Sequence, residues 1–257
     1  MSDSKPTFTI SRASPGDVPR IGEISTRAFD KDTNSQMKIM GQRPGAFAQG
    51  MVAGARSWLE SPRAVLIKAT DDRDGTIVGS CAWGFRGVEL DPSPGAETDK
   101  DVLSGRRENG DDDSTAASAG EDQTEPPGAE KIKALEGMTS KHLFDFMGKR
   151  MPEGSKCIFI GGISVDPRYE GLGVGSQLLR WGTEQADRLG AFSWVHSSEA
   201  GWVLFSKHGY EEVDRLTFDL DEWAVGPPPA DGVFAGREKW GEYTFRYGLR
   251  QPVKVSE

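Results

Sequence analysis

Two cysteines and three histidines are all that 257 residues hold of the softer metal ligands. Cys81 and Cys157 each lie inside an apolar, strand-like run and read as small core residues rather than as halves of a disulfide or a metal site. His142, His196 and His208 have no metal-ligand spacing, so no metal is expected. No apolar run is long enough to span a bilayer, which excludes a membrane-spanning helix. Met1-Ser2-Asp3-Ser4-Lys5 lacks the charged and apolar regions of a secretory leader. A cytoplasmic or nuclear protein is expected.

Positive charge in excess is also missing. The net charge is −9. It belongs to one segment: residues 88–136 carry fourteen Asp/Glu and five Lys/Arg, leaving 26 of each sign elsewhere. There is no basic face to suggest a nucleic-acid partner. Residues 88–128 are rich in Asp, Glu, Gly, Ser and Pro and nearly empty of aromatics, a composition that cannot form a core. They read as a solvated, disordered insertion, Asp111-Asp112-Asp113 included. Strands expected on both sides make the whole chain, 1–257, a single domain.

The rest of the chain alternates strand and helix signals. Residues 8–12 alternate apolar and polar; Ser14-Pro15-Gly16-Asp17 marks a helix start with Asp17 as cap; Val18, Ile21, Ile24, Ala28 and Phe29 recur at helical spacing. Residues 30–44 read as a polar connection and 46–59 as a second helix, with Phe47, Met51 and Trp58 packing. Residues 64–69 and 76–85 form a hairpin about Asp71-Asp72-Arg73-Asp74-Gly75. Helical character returns over 132–147, with Met138, His142, Leu143, Phe144 and Met147 on one side. Residues 157–165 are apolar on both faces, as a strand covered on two sides must be, but Gly161-Gly162 interrupts them, the mark of a bulge or of a ligand close to the backbone. Further strands are expected at 192–197, 210–220 and 243–249, with a short helix at 198–208 and a proline-containing loop at 223–241.

The chain is organised around Gly171-Leu172-Gly173-Val174-Gly175, set between that central strand and a helical pattern beginning at Ser176. Strand, glycine turn, helix aims unpaired N–H groups and the positive end of a helix dipole at one point, a site for phosphate. Known nucleotide loops do not fit. No lysine follows Gly175, as a Walker loop requires; the glycine spacing is not Gly-x-Gly-x-x-Gly; and the kinase signatures His-Arg-Asp and Asp-Phe-Gly are absent.

The longer stretch does fit a pattern. Val165-Asp166-Pro167-Arg168-Tyr169-Glu170, the glycine turn, Ser176 and Leu178-Leu179 resemble motif A of the GNAT acetyltransferase superfamily, and Leu204-Phe205-Ser206-Lys207-His208-Gly209-Tyr210 is similar to its Leu-Tyr-x-Lys-x-Gly-Phe segment. The resemblance is close over 158–220, and the chain is identified on it with a fungal-type small-molecule or amine acetyltransferase. It implies an α/β (α+β) fold: a mixed sheet of about seven strands, its central strands splayed, flanked by helices. It implies acetyl-CoA as co-substrate, its pyrophosphate on the backbone of Glu170, Gly171, Leu172, Gly173, Val174, Gly175 and Ser176, its pantetheine arm along Ile163, Ser164 and Val165, with Phe205 beside it. A backbone N–H near Val165 would polarise the carbonyl. The acceptor, an amine on a small molecule, amino acid or peptide, would meet walls from the amino-terminal helices and the last two strands.

Two departures from the family pattern stand out. Glu170 replaces the usual Gln or Arg, and is expected to face solvent with Arg168 offsetting it. Phe205 occupies the position where a Tyr often serves as general acid, help worth ~10²–10⁴-fold. No carboxylate lies within 158–165 to act as base; Glu199, acting through a water, and His196 are the candidates, each also explicable as a helix-start charge and a packed strand residue. The expected activity is direct N-acetyl transfer. A domain that binds acetyl-CoA and transfers poorly is the alternative, and the oligomeric state is open.

Overall fold

The doubly apolar run is strand β4 (Cys157–Val165), fourth in a sheet of seven in the computed structural model, which describes residues 5–88 and 126–253. The acidic segment read as a disordered insertion lies, except at its two ends, outside the described residues. Ahead of β4 come β1 (Phe8–Arg12), α1 (Val18–Ala28), α2 (Thr33–Met40), α3 (Ala46–Glu60), β2 (Ala64–Asp71), β3 (Ile77–Arg86) and α4 (Ala129–Arg150). After it come α5 (Val174–Leu189), β5 (Phe192–Ser197), α6 (Glu199–Lys207), β6 (Glu211–Asp219) and β7 (Glu242–Arg250). The strand order is β1-β2-β3-β4-β5-β7-β6, so β7 pairs with β6 as expected and also inserts beside β5. Only β4 and β5 run parallel, with α5 making the crossover between them.

Neighbouring residues of β3 show how the layers divide, since successive side chains leave a strand on opposite faces. Trp83, fully buried, meets α5 at Gly182. Ala82 joins Val18, Ile21 and Ala55 of α1 and α3 on the other face. Helix α4 shares that second face: Phe146 packs on Trp194 and Tyr247, and Trp194 stacks on Phe159, which meets Trp58 of α3. Both cysteines are free and buried in these layers.

Several expectations need correction. Residues 30–44 are not merely a connection: α2 forms there, its amino terminus capped by Asp32, whose Oδ2 accepts from the Ser35 N–H at 2.9 Å. A single fully buried anchor, Met37, ties it to the core, too little to raise a periodic signal. Asp17 stands at the amino-terminal cap position of α1, as expected, but its side chain makes no capping bond there. Its carboxylate accepts from the backbone and hydroxyl of Ser14 and pairs with Lys68 on β2 at 2.7 Å, so it closes the turn before the helix. Helix α4 is longer than read, and its buried side chains are Ala129, Ile132, Leu135 and Phe146, whereas Phe144 is exposed. Helix α5 begins at Val174, two residues early, because Gly173 is its amino-terminal cap residue. The loop after β6 joins a core shared with α2 and α4: Phe234 and Trp240 cluster with Leu220, Tyr243, Met37, Ile132 and Leu135, and Asp221 accepts from the N–H groups of Trp240 and Gly241, each at 3.0 Å.

Candidate active site at the opened centre of the sheet

Strands β4 and β5 pair only from Cys157↔Phe192 to Ile160↔Val195. Beyond Ile160, β4 keeps its ladder with β3 alone, and that ladder slips by one residue: Ala82 faces Gly162 and Trp83 faces Ile160, leaving Gly161 as the bulge. A bulge bends the strand that carries it. Gly161 also meets Trp58, whose ring would lie 2.1 Å from any Cβ added there, so the bulge requires a residue without a side chain. The result is an opened seam. Ile163, Ser164 and Val165 present their β5-side edge unpaired among the described strands, while β5 turns to β7 through His196↔Tyr247 and Ser197↔Arg246.

The glycine turn closes one end of the seam. Gly171 and Gly173 have φ of +75° and +90°, and nothing lies within 4 Å of where a Cβ would stand on either. Glycine takes this backbone at no steric cost and leaves the space above it free. The N–H groups of Leu172 and Gln177 bond to Tyr169 and Gly173. Those of Gly173, Val174, Gly175 and Ser176 find no backbone acceptor among the described residues and converge at the positive end of α5. Glu170, Gly171, Leu172 and Gly173 are exposed; Val174 points inward, fully covered. The hydroxyl of Ser176 is already engaged, 3.0 Å from Nε2 of His208.

Beneath the turn lies an acid that the sequence reading passed over. Asp166 is fully buried, and its carboxylate takes the backbone N–H and guanidinium of Arg168 and, at 2.7 Å, the guanidinium of Arg20 from α1. The Arg168 guanidinium first, then its N–H and Arg20, hold this carboxyl well below the usual carboxylate range despite the cost of burial. Arg168 is thus committed to Asp166 and does not offset Glu170, which makes no ion pair among the described residues. An anion clamped between the sheet and the turn fixes where the turn begins. Its only sequence signal is position, next to the apolar strand.

The candidate catalytic residues separate. His196 lies on β5 just past its last pairing with β4, its ring on Phe245 at 4.3 Å and on Tyr247 at 4.8 Å. Its Nε2 is buried without a hydrogen-bond partner among the described residues. Burial, then the nearby His142, pushes its pKa down to about 4. The unfolded chain protonates this ring below about 6.5 and the folded one only near the lower value. Stability therefore falls as pH drops through that window and is indifferent to this group above it. An NMR titration should show the His196 ring unchanged from pH 8 to 5.5; an inflection near 6.5 would contradict the packing described. Glu199 opens α6, exposed, with Oε1 accepting from the Thr244 N–H at 3.0 Å. Phe205 turns inward, 2% exposed, its ring against Tyr210. Leu204, not Phe205, leans over the start of α5, near Gly175 and Val165.

A cleft of about 420 Å³ borders Glu170, so that it opens beside the glycine turn. Phe29, Asp32, Glu199, Trp240, Glu242 and Tyr243 line it, from the start of α2, the start of α6 and the beginning of β7. Of these, only Glu199 is a candidate for the chemistry on sequence grounds. The others come from segments remote in sequence: the end of α1, the start of α2, the loop before β7 and the beginning of β7, with no residue of β6 among them.

The family profile described as "Acetyltransferase (GNAT) family" matches residues 42–210, well over half of the chain. The chain belongs to this family. Among solved structures, arylalkylamine N-acetyltransferase 2 from Aedes aegypti is similar with a TM-score of 0.56 at 15% identity, over 95% of this chain and 99% of that one. The mosquito arylalkylamine N-acetyltransferase like 5b gives 0.52 at 14%, over 95% and 100%. An agmatine N-acetyltransferase gives 0.50 at 13%, over 95% and 99%. At these identities the likeness is one of fold. No curated protein sequence matches the chain. This GNAT protein is accordingly an acyltransferase, and acetyl-CoA is the donor its family uses. The subfamily is not assigned by these matches. No helix among the described residues is long and apolar enough to cross a membrane.

Proposed function

We propose that this GNAT protein transfers an acetyl group from acetyl-CoA to a primary amine. One observation carries the reading: a sheet edge opened at a bulge leads to a glycine turn whose free N–H groups crown α5, and a cleft opens beside that turn. The chain's groups fit the donor. The space above Gly171 and Gly173 would admit a pyrophosphate, held by the N–H groups of 173–176, and the free edge of Ile163, Ser164 and Val165 would take the amides of a pantetheine arm. The donor, when bound, supplies an activated acetyl carbonyl and a thiolate leaving group. Val165 ends the free edge, and a backbone N–H there would polarise the carbonyl.

An amine attacks only when neutral. Glu199, exposed and held by the Thr244 N–H, is placed to pass its proton to solvent through a water. His196, its pKa pushed down by burial and its ring packed on Phe245 and Tyr247, serves as packing. Phe205 has no proton to give, so the thiolate leaves without a general acid from that position. That favours slow turnover and keeps alive a second reading, a coenzyme-binding domain with little transfer activity. On either reading the acidic segment is an insertion within one domain.

Calorimetry with acetyl-CoA, followed by free-thiol release against a panel of amines, tests the proposal. Binding with amine-dependent thiol release is the expected result. Binding with no release for any amine would leave the second reading standing, and absence of binding would overturn both.

A further inference from the structure

Resting on that reading, we infer that the acceptor is a small cationic amine that carries no carboxylate, and that Asp32 is the residue that seats it. The cleft is acidic where it is rigid. Six charged side chains line it: Asp32, Glu170, Glu199 and Glu242 against Lys31 and Arg237. The two cations are exposed, as are Glu170, Glu199 and Glu242, and the Arg237 guanidinium rests over the Phe234 ring, 5.8 Å from its centroid. The fixed groups are anions. Asp32, partly buried, accepts the Tyr243 hydroxyl on Oδ1 at 2.7 Å and the Ser35 N–H on Oδ2 at 2.9 Å. Glu199 is tied to the Thr244 N–H.

Tyr243 makes Asp32 a seat rather than a loose charge. Its ring is 1% exposed and packed on Phe218 and Phe245, and its hydroxyl comes from β7, 211 residues away in the chain. Burial, then Asp32 itself, pushes that hydroxyl's pKa well above its ordinary range, so it stays protonated and keeps donating. No ion pair engages Asp32, Glu170, Glu199 or Glu242 among the described residues. Phe29, half-buried at the cleft, adds aromatic surface, which suits an organic cation. A carboxylate beside the reacting amine, as in an amino acid, would enter this field against like charge.

Matched pairs test this on the unaltered full chain: phenethylamine against phenylalanine, and 1,5-diaminopentane against lysine, each pair differing by one carboxylate. With acetyl-CoA saturating, kcat/KM for the amine should exceed that for the amino acid by at least about 100-fold in both pairs. Asp32→Asn keeps the helix cap and a partner for Tyr243 while removing the charge. It should raise the amine KM about tenfold or more, with kcat and the acetyl-CoA Kd little changed. Equal use of amino acid and amine, or an Asp32→Asn variant with unchanged KM, overturns the inference; the first outcome would assign Arg237 or Lys31 as a carboxylate anchor. If no compound releases thiol, the transfer proposal fails separately. The same four compounds titrated calorimetrically into the acetyl-CoA-loaded chain, or into the chain alone should acetyl-CoA not bind, then decide whether the cleft prefers the amines.

Discussion

Replacing Gly173 by Asp should weaken acetyl-CoA binding more than about 100-fold, the equivalent of ~2.8 kcal/mol, and leave the fold intact. Gly173 is the amino-terminal cap residue of α5 at φ +90°, with open space where its Cβ would stand. The carboxylate would occupy that space and set a negative charge where the dipole of α5 and four unpaired N–H groups favour an anion. The left-handed backbone costs an L-residue about 1–2 kcal/mol, least for Asp and Asn, so melting should fall by only a few degrees. Gly173→Asn carries the same strain without the charge and should lose far less affinity. Calorimetry and thermal melting on both variants read the two effects separately. Equal affinity losses for Asp and Asn would mean that backbone geometry, not phosphate charge, explains the effect, and unchanged affinity in both would remove the cradle from the site.

The largest effect on stability is expected at Gly182→Ala. A Cβ on Gly182 would stand 2.1–2.4 Å from atoms of the Trp83 indole, which is fully buried between α5 and the sheet and has no room to withdraw. Overpacking of this kind costs about 1–3 kcal/mol, occasionally more, and Ala recovers about 1 kcal/mol through its better helix propensity. A net loss of about 1 kcal/mol, some 2–4 °C of melting temperature, is the expected balance. Gly137→Ala in α4 is the matching control. Nothing lies within 4 Å of its added Cβ, so only the helix-propensity gain remains, and melting should rise. The same substitution in two helices should therefore move stability in opposite directions. If both variants gained stability, the close approach of α5 to Trp83 would be wrong.

The two positions also show which signals survive in a linear sequence. Gly173 could be read because its role is local: its neighbours alone compose a strand, a tight turn and a helix start, and that order of elements implies N–H groups aimed outward. Gly161 could be read in part. A glycine inside an apolar strand marks a bulge, but the reason a glycine is required, the Trp58 ring on its surface, comes from a helix a hundred residues earlier. Gly182 gave no such sign, since an apolar helical stripe looks the same whether or not an indole presses on it.

The seven-strand sheet, its central strand, the hairpin of β2 and β3, the glycine turn and the family were legible because each follows from periodicity, turn chemistry or a contiguous motif. Helix α2, the Asp166 clamp and the acceptor cleft were decided only by the tertiary structure. Met37 is buried because other elements close over it, and Asp166 is a structural anion because Arg20 reaches it from α1. Asp32 is a fixed carboxylate because Tyr243 arrives from the far end of the chain. A carboxylate's chemistry depends on what surrounds it, and no short stretch of sequence records neighbours that come from 146 or 211 residues away.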